Sequence, residues 1–152
     1  MLVLLDSKPL GMITNPTASP ETDECNEWLE GLLSKGIAVV VPEIIDYELR
    51  RELIRLDRPK SIARLDSLAA YIGYLRLNSE TYLIAAALWA KVRNEGKGTA
   101  GPQRLDIDCI LAAQARQASG GREQTRIATI DVDDLSRYDT DTVKAMHWGD
   151  IT

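Results

Sequence analysis

Two carboxylates stand two residues apart in LDIDCILAAQA, Leu105 to Ala115, directly ahead of an apolar, alanine-rich run. Acids in that place either finish a helix end or hold a cation. The choice depends on whether other acids reach the same point. Asp6 follows the apolar run Val3–Leu5, and Asp131 follows Ile127–Ile130. Glu48 lies in the stretch after Pro42, with Leu49 and Leu53 near it, and Asp108 has Ile107 and Leu111 as neighbours. A buried carboxylate without a partner is costly. Converging carboxylates repel one another unless a cation sits between them. Hard oxygen donors suit Mg²⁺ or Mn²⁺, and such an ion can activate water against a phosphodiester.

Each acid alone has a plainer explanation. Asp6 ends a strand, Glu48 decorates a helix surface, and Asp131 begins a turn in the acid-rich IDVDDLSR. Asp108 in a first helical turn gains about 0.3–1 kcal/mol from the helix dipole. As a set, the four are harder to dismiss. Positions two apart on a helix point about 200° away from each other, so Asp106 and Asp108 cannot both face one cation. Asp108 is assigned to the cation and Asp106 to the helix N-cap.

The elements that must position these acids alternate along the chain. Val3–Leu5 reads as a buried strand, and Asn15 to Pro20 as a loop. Residues 21–35 carry Cys25, Trp28, Leu29, Leu32 and Leu33 at helical spacing, with Gly36 as the stop. Ile37–Val41 is a second strand, and Pro42 suits the first turn of a helix reaching Leu56. Helices are predicted over 61–74, over 80–94 capped by Ser79, and over 106–119 ended by Gly120 and Gly121. A short edge strand is expected at Leu75–Leu77, a loop over Lys97–Gln103, a strand at Ile127–Ile130 and a weak last strand at Ala145–Trp148. Strands alternating with helices predict an α/β domain, a mostly parallel sheet of four to five strands with helices on both faces. Function in such sheets gathers at the carboxyl ends of the strands.

Composition sets the limits. The 152 residues fit one domain, residues 1–152, with a core of its own. There is no Phe, so Leu, Ile, Val, Ala and three Trp must fill it. Two cysteines match no zinc spacing and are too few for a disulfide framework, which suggests a reducing cytoplasm. MLVLLDSK does not read as a signal peptide, and no apolar run approaches membrane-spanning length. A net charge of −5 does not advertise nucleic-acid binding. Locally, however, residues 50–64 carry Arg50, Arg51, Arg55, Arg58, Lys60 and Arg64 against Glu52 and Asp57. Such a run is either a solvated helix face or a phosphate-binding patch.

In order and spacing, the motifs resemble the PIN-domain ribonucleases, in particular VapC-type toxins of prokaryotic toxin–antitoxin pairs. VLLDS at 3–7 looks like the family's opening strand with its first metal-binding Asp. VPEIIDYELRREL at 41–53 is similar to the second-strand exit and helix, placing the Glu at Glu48. DCILAAQA at 108–115 resembles the D-x-x-I-A-A-x-A helix, and ATIDVDDL at 128–135 the terminal segment with an acid two residues after Thr129. The resemblance covers nearly the whole chain. It implies a PIN-like fold and an endoribonuclease whose Asp6, Glu48, Asp108 and Asp131 bind one or two Mg²⁺ or Mn²⁺ ions. It implies cleavage to a 3′-hydroxyl and a 5′-phosphate, an antitoxin seated in a groove near the helices at 42–56 and 61–74, and a homodimer. Two departures stand out. Lys8 replaces a frequent Asn, and Asp133 and Asp134 compete with Asp131 for the fourth position.

Other residues read more plainly. The lone His147 lies in the last strand and is expected to be structural, as are Cys25 and Cys109. Ser7 is either a turn residue or a hydrogen-bond donor at the acid cluster. Lys8, Arg50, Arg51 and Arg104 are candidate phosphate contacts. DSKPL lacks the second Asp of aspartate-based phosphatases, and no Gly-rich phosphate loop occurs. Two readings follow: a metal-dependent endoribonuclease, or a catalytically weak module of the same fold that binds RNA or a protein.

Overall fold

The computed structural model describes residues 1–96 and 101–152, with the backbone alone at Pro102. Among the described residues, five strands form one sheet: β1 (Leu2–Leu5), β2 (Ala38–Pro42), β3 (Tyr74–Leu75), β4 (Thr125–Thr129) and β5 (Val143–His147). Their order is β3-β2-β1-β4-β5, and every pairing is parallel. Leu4 pairs with Val40 on one side and Ile127 on the other. Val3, Leu4 and Leu5 point alternately to opposite faces, and all three are 0% exposed. Both faces of the central strand are therefore covered, as a parallel sheet requires.

The helices are α1 (Ser7–Thr14), α2 (Pro20–Ser34), α3 (Glu43–Arg55), α4 (Pro59–Ile72), α5 (Ser79–Asn94), α6 (Pro102–Ser119) and the short α7 (Val132–Leu135). None of them, among the described residues, is long and apolar enough to cross a membrane. The core joins Leu10 of α1, Leu32 of α2, Ile45 of α3, Leu65 of α4 and Leu111 of α6 to β1 and β4.

From β1 the chain builds outward through β2 to β3, then crosses back to place β4 on the other side of β1. The carboxyl ends of β1 and β4 thus flank a topological switch point, where crevices open in sheets of this kind. Asp6 directly follows β1, and Asp131 lies two residues beyond β4.

Several expected boundaries moved. α1 falls in a stretch to which the sequence reading assigned no element. Pro9 sits in the first turn, where a missing N–H has no intrahelical partner to lose. Pro42 closes β2 and precedes α3 rather than entering the helix. Asn78, not Ser79, caps α5: its side chain accepts from Thr81 N at 3.0 Å, and Thr81 Oγ1 accepts from Asn78 N at 3.3 Å. β3 is the expected edge strand, one residue early. The first residues of the expected loop, 97–100, lie outside the described residues.

The largest correction concerns α6, which begins at Pro102 after Gly101, ahead of the predicted start. Asp106 is therefore not the N-cap: it lies exposed inside the helix. A Pro at the first helical position satisfies the start without an acidic cap. Asp108 consequently lies beyond the first turn, which removes the dipole as its explanation.

Candidate metal centre

Asp6 is the most buried of the four acids, at 7% exposure. It caps α1, with Oδ1 accepting from the backbone N–H of Ser7 at 2.7 Å. Its Oδ2 accepts from the hydroxyl of Thr129 at 2.6 Å. The same Thr129 oxygen accepts the backbone N–H of Asp131 at 2.9 Å. One hydroxyl therefore ties the end of β1 to the segment after β4. Burial pushes the Asp6 carboxyl up despite Thr129 and Ser7, and the nearby charge of Asp131 adds to the rise.

Glu48 comes from α3, half-buried, with a hydrogen bond to the Ser7 side chain. Burial raises its pKa, and the charge of Asp6 raises it further. Asp108 comes from α6. Burial first, then Asp6, pushes it up to about 7, with Asp134 and Glu48 contributing and Arg104 opposing. Asp131 is held by Arg104, whose Nη2 lies 2.6 Å from Oδ2.

All four acids line one cavity of about 370 Å³, together with Ser7, Arg51, Gln103, Arg104 and Ile107. Asp133 and Asp134 do not line it. Asp134 instead pairs with Arg137 at 3.0 Å and approaches Arg104 at 3.7 Å. Asp106 opens onto a neighbouring groove beside Tyr47 and Tyr82, on a different face of α6 from Asp108. The 200° argument that separated the two thus holds, although the capping role does not.

α3 is aimed by a buried side chain from another helix. Pro42 gives α3 no capping bond. Gln114 of α6, 2% exposed, accepts from Ile44 N at 3.4 Å and donates to the carbonyl of Leu75 at 2.7 Å. It therefore links α6 to the start of α3 and to β3. Arg50 does not reach the cavity. Its guanidinium bonds Asp46 at 2.8 Å and Asp66 at 2.6 Å, joining α3 to α4. Arg55 pairs with Glu52, and Arg64 donates to the carbonyl of Asn15 at 3.1 Å, so much of the basic run serves the helices themselves. Lys8 lines an adjoining depression with Ser7 and Glu48.

His147 accepts from Gly149 N at 3.3 Å, lies 5.5 Å from the Trp148 ring and pairs in register with Thr129, but it does not line the acid cavity. Cys25 and Cys109 are buried and free, the latter 3.3 Å from the Tyr138 hydroxyl.

The donor set fits a hard divalent cation: oxygen ligands from four segments, three of them pushed towards protonation by burial and mutual charge. Among the described residues, no three Asp, Glu, His or Cys side chains are gathered tightly enough to enclose an ion without rearrangement. Sequence reasoning used Thr129 only as a spacing marker, and it missed Gln114 entirely. A threonine two residues before the last acid was the available signal for the first; a Gln inside the apolar run ILAAQA was the signal for the second.

Comparison with known proteins gives a consistent answer. The model of the PIN domain matches residues 3–139. A chain in the structure of VapBC2 from Rickettsia felis, solved bound to a DNA fragment from the promoter, superposes with a TM-score of 0.74. It is 15% identical, and the match covers 97% of this chain and 99% of that one. A chain of VapBC-1 from nontypeable Haemophilus influenzae gives 0.61 at 16% identity, covering 97% and 98%. No curated protein matches the sequence.

Proposed function

The chain belongs to the PIN-domain family, and from that premise we propose that it is a Mg²⁺- or Mn²⁺-dependent endoribonuclease, the toxin of a toxin–antitoxin pair. One observation carries the reading: Asp6, Glu48, Asp108 and Asp131, from four separate segments, line a single cavity at the switch point of the sheet. These four would hold the cation. When bound, it supplies Lewis-acid activation of water and compensates charge on the phosphodiester.

The chain's own residues do the rest. Thr129 and Ser7 N–H fix both oxygens of Asp6, so that it cannot swing away. The Ser7 side chain orients Glu48. Arg51 and Arg104 line the same cavity and Lys8 its neighbour, where phosphate oxygens would lie.

An antitoxin partner is supported by the VapBC complexes the fold resembles. A groove of about 690 Å³ runs between α2 and α4, lined by Ile13, Leu29, Leu33, Leu68 and the 79%-exposed Tyr71. It would take an amphipathic segment. A second groove, of about 640 Å³, runs along α3 beside Tyr47, Arg51 and Tyr82. The family reading extends to a homodimer working in the cytoplasm.

A second reading keeps the fold and drops the chemistry: a module binding RNA or protein. The Arg104–Asp131 ion pair favours it, because it occupies one of the four acids. Incubating total cellular RNA with Mn²⁺ and purified protein, beside Asp108→Asn, separates the two. Cleavage by the wild type and at least a hundredfold loss in the variant is the expected result (about 3 kcal/mol of barrier). Equal cleavage by both would refute the assignment. No cleavage together with no Mn²⁺ binding would leave the binding module.

A further inference from the structure

The cavity contains a cation of its own. Arg104 lies four residues before Asp108 on α6, so both project from one face of the helix. From there its Nη2 reaches Asp131 Oδ2 at 2.6 Å. The same nitrogen is 3.7 Å from Asp134, whose other oxygen is held by Arg137 at 3.0 Å. Arg104 also opposes the charge repulsion at Asp6, Glu48 and Asp108. The four acids around the cavity are thus partly neutralised by Arg104, with Arg51 adding to it at Glu48. The Asp131 oxygen that it engages is one a divalent ion would need.

We propose that Arg104 is a built-in counter-ion that competes with the divalent cation for Asp131 and, once displaced, contacts the RNA phosphate. This rests on the metal-nuclease reading above. The ion pair is weak enough to yield: its side chains are 50% and 47% exposed, and exposed pairs of this kind resist little. A doubly charged ion outcompetes a singly charged one for the same oxygen and repels the guanidinium it replaces. A displaced Arg104 remains at the mouth of the cavity, where its fork of donors suits a phosphate. The arrangement would keep the acids folded together at low cation concentration and couple cation entry to readiness for RNA.

The test is calorimetric titration of Mn²⁺ into the wild type, Arg104→Gln, Asp131→Asn and the double variant, with circular dichroism to confirm folding. Arg104→Gln is expected to bind Mn²⁺ about two- to fivefold more tightly, the yield of an ion pair of this exposure. In the Asp131→Asn background that gain should vanish, because the contested oxygen is gone. In cleavage assays, the Mn²⁺ concentration for half-maximal rate should fall while KM for RNA rises. Unchanged or weaker Mn²⁺ binding by Arg104→Gln overturns the proposal and leaves the metal-nuclease reading standing. So does a full gain in the Asp131→Asn background, which would reduce Arg104 to a general positive charge. A wild type that binds no Mn²⁺ overturns both.

Discussion

Thr129 is a small residue with a large share of the site. Its hydroxyl donates to Asp6 and accepts from the Asp131 backbone, so one side chain sets the spacing of two acids. It is 0% exposed, and no solvent can replace it. Thr129→Val keeps the shape and strands both partners. The expected cost is about 1–3 kcal/mol, measured by urea denaturation. Asp6 should also titrate higher still, since the Thr129 bond is the larger of the two hydrogen bonds opposing its rise. A shift of Mn²⁺ binding to higher pH would report this. Unchanged stability and an unchanged pH profile would mean that the hydroxyl is incidental.

At the scale of elements, two helices deliver acids, and α6 helps to aim α3. α3 starts at a proline and lacks a side-chain cap. Gln114 supplies a partner for the Ile44 N–H from across the core and bonds the edge strand with its other end. Gln114→Leu removes both bonds while keeping the volume. It should destabilise by about 1–3 kcal/mol and raise the Mn²⁺ requirement, because α3 would no longer be aimed. Loss of stability with normal Mn²⁺ affinity would separate the scaffold role from the site role. α6 ends differently: Gly120 takes a left-handed φ of 54°, closing the helix before β4 begins.

For the whole molecule, the acid cluster links pH to stability. Asp108 titrates near 7 in the fold against an ordinary 3.8. A carboxyl raised in this way contributes stability that is complete below its ordinary value and lost as pH rises through about 7. Asp6 and Glu48 are raised as well and act in the same sense. With chelator present, Tm should therefore fall between pH 5 and pH 8, and Asp108→Asn should flatten that fall. Mn²⁺ at a hundred times its Kd should return about 2.7 kcal/mol at pH 8. A Tm that climbs from pH 5 to pH 8 in chelator would show that the cluster is not under strain.

Much of the architecture was written in local pattern. Apolar runs ending in acids predicted β1 with Asp6 directly after it, because a strand buried on both faces is apolar, and located β4, which in the structure starts at Thr125 and ends at Thr129, two residues before Asp131. Helical periodicity located α2, α3, α4 and α5, and the opposed directions of Asp106 and Asp108 followed from helix geometry alone. Local pattern failed where two good signals competed. Asp106 looked like a cap, but Gly101–Pro102 started the helix earlier. α1 had no element assigned to it, although the first turn tolerates Pro9 and Gly11 lies against Leu49. Only tertiary structure decided which charges meet. Arg50 and Arg104 are equivalent as letters, yet one holds α3 to α4 and the other holds Asp131. Thr129 and Gln114 acquire their partners from residues 123 and 70 positions away. Contacts of that range depend on how the sheet order brings β1 beside β4, and no window of sequence contains them.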